Sequence, residues 1–76
     1  FDRLLDVHMK DVSAAAAAGT TVEAGSGVID IPKLLKTLTR LQYKGTLHFE
    51  HEKDAKDPFP GLAESVGYVR GVLAAL

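Results

Sequence analysis

The sequence predicts an α/β fold made of one βαβα unit. Two segments alternate apolar and polar residues, and each is followed by a segment with apolar residues at helical spacing. The connection between the two predicted strands is long enough for a right-handed parallel crossover. Two parallel strands need further protein around them, because parallel sheets are usually covered on both faces. The 76 residues include no cysteine, so no disulfide replaces that support.

The first predicted strand spans residues 4–10. Its apolar face carries Leu5, Val7 and Met9, and its polar face carries Asp6, His8 and Lys10. Residues 12–27 follow as a long loop that contains five consecutive alanines and a Gly-Ser-Gly turn signal. The helix propensity of alanine favours a short helix in this run, whereas the lack of an apolar stripe favours an irregular loop. Both interpretations stay open.

The first predicted helix spans residues 31–42. Asp30 is a suitable N-cap, and Pro32 fits a first helical turn. The apolar stripe that we expect to be buried consists of Ile31, Leu34, Leu35, Leu38 and Leu41. Lys44 and Gly45 supply the expected stop signal.

A second predicted strand covers residues 46–51, and a second helix follows the turn-rich segment 53–61. The strand places Leu47 and Phe49 on one face and His48, Glu50 and Glu52 on the other. The expected buried stripe of the helix is Leu62, Val66, Val69, Leu73 and Leu76. Gly67 and Gly71, one turn apart, are expected to permit close backbone approach.

Charge and hydropathy exclude two classes of partner. Nine basic and ten acidic residues give a net charge of -1, which supplies no broad positive field for a nucleic-acid backbone. The apolar stretches are far shorter than the roughly 20 residues of a membrane-spanning helix. The chain begins at Phe1 with no initiator methionine, which favours an entry midway through a longer polypeptide. The compartment stays open, with the cytoplasm as the favoured expectation.

The polar faces of the two predicted strands indicate a site. A strand buried in a parallel sheet normally has apolar residues on both faces, so these faces are either solvated or directed into the mouth of a barrel. His8 and Glu50 lie near the C-terminal ends of their strands, where catalytic groups converge in (β/α)8 barrels. Imidazole and carboxylate together suit Mn, Co, Zn, Mg or non-haem Fe.

The chain resembles the sugar phosphate isomerase/epimerase family of xylose isomerase-like barrels. The resemblance covers nearly all of the chain and depends on the order and spacing of short motifs. These motifs are His8-Met9-Lys10-Asp11-Val12, Gly25-Ser26-Gly27-Val28-Ile29-Asp30-Ile31-Pro32, Tyr43-Lys44-Gly45, Phe49-Glu50-His51-Glu52, Asp57-Pro58, Gly61-Leu62 and Ser65-Val66-Gly67-Tyr68-Val69-Arg70.

The resemblance implies that residues 1–76 are the C-terminal part of a single TIM-barrel domain, containing its last two βα units. It implies that His8 and Glu50 are two of four ligands to a divalent metal, and that Glu50 also takes part in catalysis. In such enzymes proton transfer passes through a metal-stabilised enediolate of a carbohydrate or polyol. Lys10 is then expected to bind substrate. Glu52 is expected to bind substrate or to orient a metal ligand.

Several alternatives remain beside this assignment. Ketose 3-epimerases of the wider group carry an arginine where this chain has Ala14, which argues against that specificity. The His8-x-Lys10-Asp11 form resembles inosose-dehydratase-like lyases. Abasic-site endonucleases share similar ligands and a similar barrel, but the near-neutral charge disfavours them. A non-catalytic partial-barrel subunit or interaction module is the third alternative. Under this alternative, the rest of a barrel, another chain or a homo-oligomer is expected to cover the apolar faces of the helices and strands.

Some polar and small residues are expected to serve the fold. Asp11 is expected to bond loop amides, as aspartates after strands commonly do. Gly25 and Gly27 are expected to serve backbone geometry. His51 is expected to face away from the site, because it alternates with Glu50.

Overall fold

The computed structural model describes residues 3–51, 53 and 56–76, and within them it has two helices and two short sheets. The elements in chain order are β1 (Asp6–Met9), β2 (Asp11–Val12), β3 (Thr21–Val22), α1 (Ile31–Arg40), β4 (Thr46–Phe49) and α2 (Phe59–Ala75). Helix and strand therefore mix along the chain, and the predicted α/β class is confirmed. The (β/α)8 assignment stays a prediction.

Strands β1 and β4 form the predicted parallel pair. Their register places His8 opposite His48 and Met9 opposite Phe49. A backbone hydrogen bond from the Glu50 amide to the Met9 carbonyl, at 2.8 Å, continues the pairing beyond β4. The two strands are shorter than predicted, but their faces keep the predicted alternation. Met9 is buried and Leu47 half-buried, while Asp6 and His48 are exposed.

The core lies on the helix-covered side of this sheet. Its buried members are Met9, Ala24, Ile31, Leu35 and Val69, and the half-buried residues packed against them are Leu34, Leu47, Phe49, Tyr68 and Val72. The core thus draws on β1, β4, both helices and the loop before α1. Because the apolar faces of the strands are used for this packing, their polar faces are left toward solvent.

The alanine run forms a loop at the tip of a hairpin. Strands β2 and β3 pair antiparallel, a pairing that the sequence did not predict. The Ser13 amide donates to the Thr20 carbonyl at 2.8 Å, and the Ser13 hydroxyl accepts from the Thr20 amide at 3.0 Å. These bonds close the loop, and the alanines between them have no helix. The loop interpretation of the run is therefore confirmed.

The Asp11 carboxylate organises the segment between β3 and α1. It is 1% exposed and accepts four backbone amides, those of Val12 and Ile29 at one oxygen and of Gly25 and Gly27 at the other, at 2.9–3.1 Å. The structural role predicted for Asp11 is confirmed. Gly25 has φ +92°, and a Cβ there would meet the Tyr68 ring.

Helix α1 begins as predicted and ends two residues earlier than predicted. The Asp30 side chain accepts from the Lys33 amide at 3.0 Å, and proline stands in the first turn. The helix ends at Arg40 because Gln42 takes a left-handed conformation with φ 58°. The Gln42 and Tyr43 amides donate back to the Thr39 and Leu38 carbonyls, which is a Schellman motif.

Helix α2 buries a face that overlaps only part of the predicted stripe. Its buried residues are Gly61, Ser65 and Val69, whereas Leu73 and Leu76 are 44% and 54% exposed. The Ser65 hydroxyl accepts from the Ala24 amide at 3.0 Å, so this small polar residue lies against the loop. Val69 is buried as the stripe predicted, and Leu62 and Val66 are half-buried. The buried face is rotated toward Gly61 and Ser65 because of that hydrogen bond and the narrow contact at Gly61.

The predicted close approach at Gly67 and Gly71 is also wrong. Apart from the chain neighbours and backbone of α2 itself, no atom of the described residues lies within 4 Å of a Cβ built at either position. Gly61 is the glycine of α2 that has a close neighbour, since a Cβ there would meet the His51 ring. His51 thus lies on the helix side of the sheet, as the alternation predicted.

An ion pair links the two long connections of the chain. The Lys53 amine donates to both carboxylate oxygens of Glu23, at 2.7 and 2.9 Å. Hydrogen bonding to Lys53 lowers the pKa of Glu23, because it stabilises the charged carboxylate. Within the described part of the chain, neither helix is long and apolar enough to cross a membrane.

Candidate metal-binding face

The exposed face of the parallel sheet gathers polar side chains from both strands and their ends. We call it the polar face, and it consists of Asp6, His8, Thr46, His48 and Glu50. Asp6 lies opposite Thr46, and His8 lies opposite His48. Residues two apart on a strand project from the same face. The register of the two strands therefore makes the side chains of both strands neighbours on this face.

His8 lies at the centre of the polar face. Its Nδ1 is 2.8 Å from Oε1 of Glu50, and its Nε2 is 2.9 Å from Oδ2 of Asp6. The ring of His48 meets the ring of His8 edge to face, with centroids 5.5 Å apart. Nδ1 of His48 is 3.1 Å from the same Asp6 oxygen. One carboxylate oxygen therefore lies between two imidazoles.

The neighbouring groups hold these side chains in place. The Thr46 hydroxyl donates to Oδ1 of Asp6 at 2.8 Å, which leaves Oδ2 for the two histidines. The Tyr43 hydroxyl in turn donates to the Thr46 carbonyl. Burial, with the nearby charge of Asp6, raises the pKa of Tyr43.

The hydrogen bonds favour a charged pair at Asp6 and His8. Both ring nitrogens of His8 face carboxylate oxygens, and both donate only when the ring is an imidazolium. Hydrogen bonding to Glu50, followed by hydrogen bonding to Asp6, raises the pKa of His8. The hydrogen bond from Thr46 is the largest contribution that lowers the pKa of Asp6.

Three of these residues have the arrangement of metal ligands. One ligand atom each from Asp6, His8 and His48 lies within 4.8 Å of the others. Imidazole nitrogen and carboxylate oxygen are the donors that Zn²⁺, Co²⁺ and Fe²⁺ accept. The donor set therefore fits a divalent cation. The side chains are 54%, 59% and 37% exposed for His8, His48 and Asp6, so solvent reaches all three.

The structure brings together the two metal ligands that the resemblance implied. His8 and Glu50 lie on the same side of the sheet and are in hydrogen-bonding contact. Lys10 follows β1 and is half-buried, and its contact with substrate stays a prediction. Glu52, the other expected substrate-binding residue, lies outside the described residues.

Sequence reasoning did not select Asp6 as a site residue. It placed Asp6 on the polar face beside His8, but gave it no role in metal binding. The signal was the Asp-x-His spacing on a strand, because residues two apart project side by side. His48 was expected on the same face. Its contact with Asp6 could be identified only from the register of the two strands.

Comparison with known proteins adds no assignment: no family model matches the chain, and no curated protein matches it.

Proposed function

We propose that this chain supplies part of the active site of a divalent-metal-dependent sugar or sugar phosphate isomerase or epimerase. The observation that carries the proposal is the contact between His8 and Glu50. These residues end two adjacent parallel strands, share the polar face, and bring an imidazole nitrogen within 2.8 Å of a carboxylate oxygen. The ends of parallel strands are where catalytic groups converge in α/β enzymes.

The residues of the polar face fit the parts of such a reaction. When bound, a divalent cation supplies an electrophile that polarises neighbouring hydroxyl and carbonyl oxygens of a carbohydrate. Glu50 carries a carboxylate at the same place and is the group that we assign to moving a proton between adjacent carbons. Lys10 offers a cation to a substrate oxygen or phosphate. The rest of the ligand set is expected from protein outside this chain segment.

Exposed apolar side chains support the expectation of a neighbouring surface. Leu5 and Phe59 are 76% and 77% exposed, although they flank the sheet and begin α2. Large exposed apolar groups at the margins of a sheet favour packing against further protein. This observation supports the remainder of a barrel, another chain or a second copy as the partner.

The test of the proposal measures sugar binding at the cation. We expect the chain to bind Mn²⁺, detected by the relaxation of water protons, and His8→Ala to abolish this binding. D-fructose 6-phosphate should reduce the relaxation enhancement, because its oxygens replace water at the ion. 1-deoxy-D-fructose 6-phosphate, which lacks the hydroxyl beside the carbonyl, should reduce it less.

The exposed Asp57 provides a control away from the polar face. Asp57→Ala should leave both Mn²⁺ binding and the sugar effect unchanged. Equal effects of the two sugars, or none, on the Mn²⁺-loaded chain would overturn the carbohydrate function. That result would leave the metal site itself standing.

A further inference from the structure

We infer that the divalent cation binds to Oδ2 of Asp6, Nε2 of His8 and Nδ1 of His48, and that Glu50 is not a ligand but holds the His8 ring in position, in addition to the proton transfer assigned to it above. The inference rests on the metal-dependent function proposed above. It assigns the ion to the opposite side of the His8 ring from the one that the resemblance implied. It also gives Asp6 and His48 a role that the sequence did not reveal.

Two of the distances between the three donor atoms are close to those of a metal site. Oδ2 of Asp6 is 2.9 Å from Nε2 of His8 and 3.1 Å from Nδ1 of His48. In a tetrahedral site with bonds of about 2.05 Å, ligand atoms are about 3.3 Å apart. These two pairs of donors therefore need to separate by only a few tenths of an ångström to admit an ion, and the ligand atoms of all three residues lie within 4.8 Å of one another.

Each side of the cluster is held by a further hydrogen bond. Thr46 occupies Oδ1 of Asp6, so the free oxygen of this carboxylate faces the two rings. Glu50 occupies Nδ1 of His8, which fixes the ring with Nε2 toward Asp6. A carboxylate that accepts from the second nitrogen of a ligating histidine is the usual outer partner in metal sites, and it makes the histidine a stronger ligand.

The number of donors decides between the two nitrogens of His8. A neutral imidazole binds an ion through one nitrogen and keeps a proton on the other. Among residues 3–51, 53 and 56–76, the set that brings three ligand atoms together is Asp6, His8 and His48. On the other side of the ring, Nδ1 of His8 is in contact with the carboxylate of Glu50 in the described part of the chain. The Nε2 side therefore offers the larger donor set.

The donor types also select the ion. Two imidazoles and one carboxylate suit Zn²⁺, Co²⁺, Fe²⁺ or Mn²⁺, whereas Mg²⁺ and Ca²⁺ prefer oxygen donors alone. Three protein ligands leave at least one position for water or a substrate oxygen, which is the pattern of catalytic sites. The exposure of His8 and His48 keeps this position open to solvent.

The decisive experiment reads each ring nitrogen by NMR. Zn²⁺ is titrated into the ¹⁵N-labelled chain, and two-bond proton-nitrogen spectra follow the histidine nitrogens. We expect Nε2 of His8 and Nδ1 of His48 to shift to the values of metal-bound imidazole. Nδ1 of His8 should keep its proton. The ring of His51, which lies on the helix side, is the internal control and should not shift.

Variants then separate ligands from the positioning residue. Asp6→Asn and His48→Gln should each weaken Zn²⁺ binding more than about tenfold, measured by calorimetry. Glu50→Ala should weaken it about 10–100-fold, the usual effect of losing an outer partner. Glu50→Gln should restore most of the affinity, because its amide oxygen still accepts from Nδ1. Asp30→Asn, at the cap of α1, is the matched control and should bind as the parent chain does.

Two results would contradict the inference in different ways. A shift at Nδ1 of His8, with Glu50→Gln as damaging as Glu50→Ala, would place the ion beside Glu50. The proposed function would survive that result. No shift at any histidine nitrogen up to millimolar Zn²⁺ would overturn both the inference and the metal-dependent function. Circular dichroism of each variant checks that its fold is retained.

Discussion

Asp11 shows how much structure one buried carboxylate controls. Its four amide partners come from β2 and from the segment that leads into α1. Each such bond to a charged acceptor contributes about 1.5–3 kcal/mol, and an amide left buried without a partner costs a similar amount. The path of the chain between β3 and α1 therefore depends on this side chain.

At the residue scale we predict that Asp11→Asn lowers the free energy of unfolding by about 3 kcal/mol. The asparagine places an NH₂ group where an oxygen now accepts two backbone amides, so these amides lose their partner. Urea denaturation followed by circular dichroism measures the change.

Asp30→Asn is the matched control for that prediction. Asparagine caps a helix as well as aspartate does, so a change of less than about 0.5 kcal/mol is expected there. Similar losses in both variants would mean that charge, and not the set of amide acceptors, sets the stability.

The sequence predicted the residues whose roles follow from local pattern. Asp11 after a strand, Asp30 before a helix, and His8 with Glu50 at strand ends were all identifiable from neighbouring residues. Asp6 was not identified, because its role depends on sharing one oxygen between two histidines that are 40 residues apart in the chain. Such a contact depends on strand register, which alternation alone does not determine.

At the element scale, α1 ends in a strained way. Gln42 has φ 58°, a left-handed conformation that glycine adopts without steric cost and that other residues adopt rarely. The stop signal at Lys44 and Gly45 predicts a helix to residue 42, two residues too long, because the helix already ends before Gln42. The Schellman hydrogen bonds of Gln42 and Tyr43 compensate for the strain by satisfying the last carbonyls.

We predict that Gln42→Gly raises the free energy of unfolding by about 0.5–1 kcal/mol. The substitution relieves the left-handed strain, and this gain exceeds the added entropy of the unfolded chain. Thermal denaturation should show a higher midpoint. Lys44→Gly is the control, because Lys44 has no positive φ and glycine there brings only the entropic cost. A higher midpoint for Lys44→Gly as well would contradict the explanation.

The two helices differ in how well their burial could be predicted. In α1, Ile31 and Leu35 are buried as the stripe indicated. In α2, the leucines and valines lie on one side of the helix, but the buried face is shifted from that stripe toward Gly61 and Ser65 and keeps only Val69 of it fully buried. The contacts of Ser65 and Gly61 decide its orientation, and small residues carry no hydropathy signal for such a role.

At the scale of the whole molecule, the core is small for the chain. The accessible surface is 5435 Å², compared with about 4,500 Å² for a typical folded monomer of this mass. In the described part of the chain, the buried core includes two large aliphatic side chains from α1, Ile31 and Leu35. A chain of this length is expected to have a total stability of roughly 4–11 kcal/mol. Single core residues should therefore decide whether it folds.

We predict that Leu35→Ala lowers the free energy of unfolding by about 2–5 kcal/mol. Leu35 is 2% exposed, and its removal leaves a cavity among Met9, Ile31 and Val69. Leu73→Ala on α2 is the control, since Leu73 is 44% exposed and should cost less than half as much. Equal losses, measured by urea denaturation, would mean that Leu73 is covered in solution by another surface.

The fold class and the pairing of β1 with β4 were predictable from the sequence, whereas the hairpin of β2 and β3 was not. Alternation and helical spacing identify β1, β4 and both helices, because these patterns reflect which side of each element meets apolar neighbours. The hairpin of β2 and β3 has only two residues on each side, too few for a period to be visible. Its formation depends on Asp11 and on the Ser13 and Thr20 contacts.

The shared oxygen of Asp6 also bears on folding fidelity. If β4 slipped by one residue along β1, His8 would lie beside Leu47 or Phe49, and an imidazole would be turned toward the apolar side. The correct alignment is the one that satisfies both histidines at once. The same three side chains that we assign to the ion thus disfavour mispaired strands. Substitutions at these positions would therefore be constrained by correct folding as well as by metal binding.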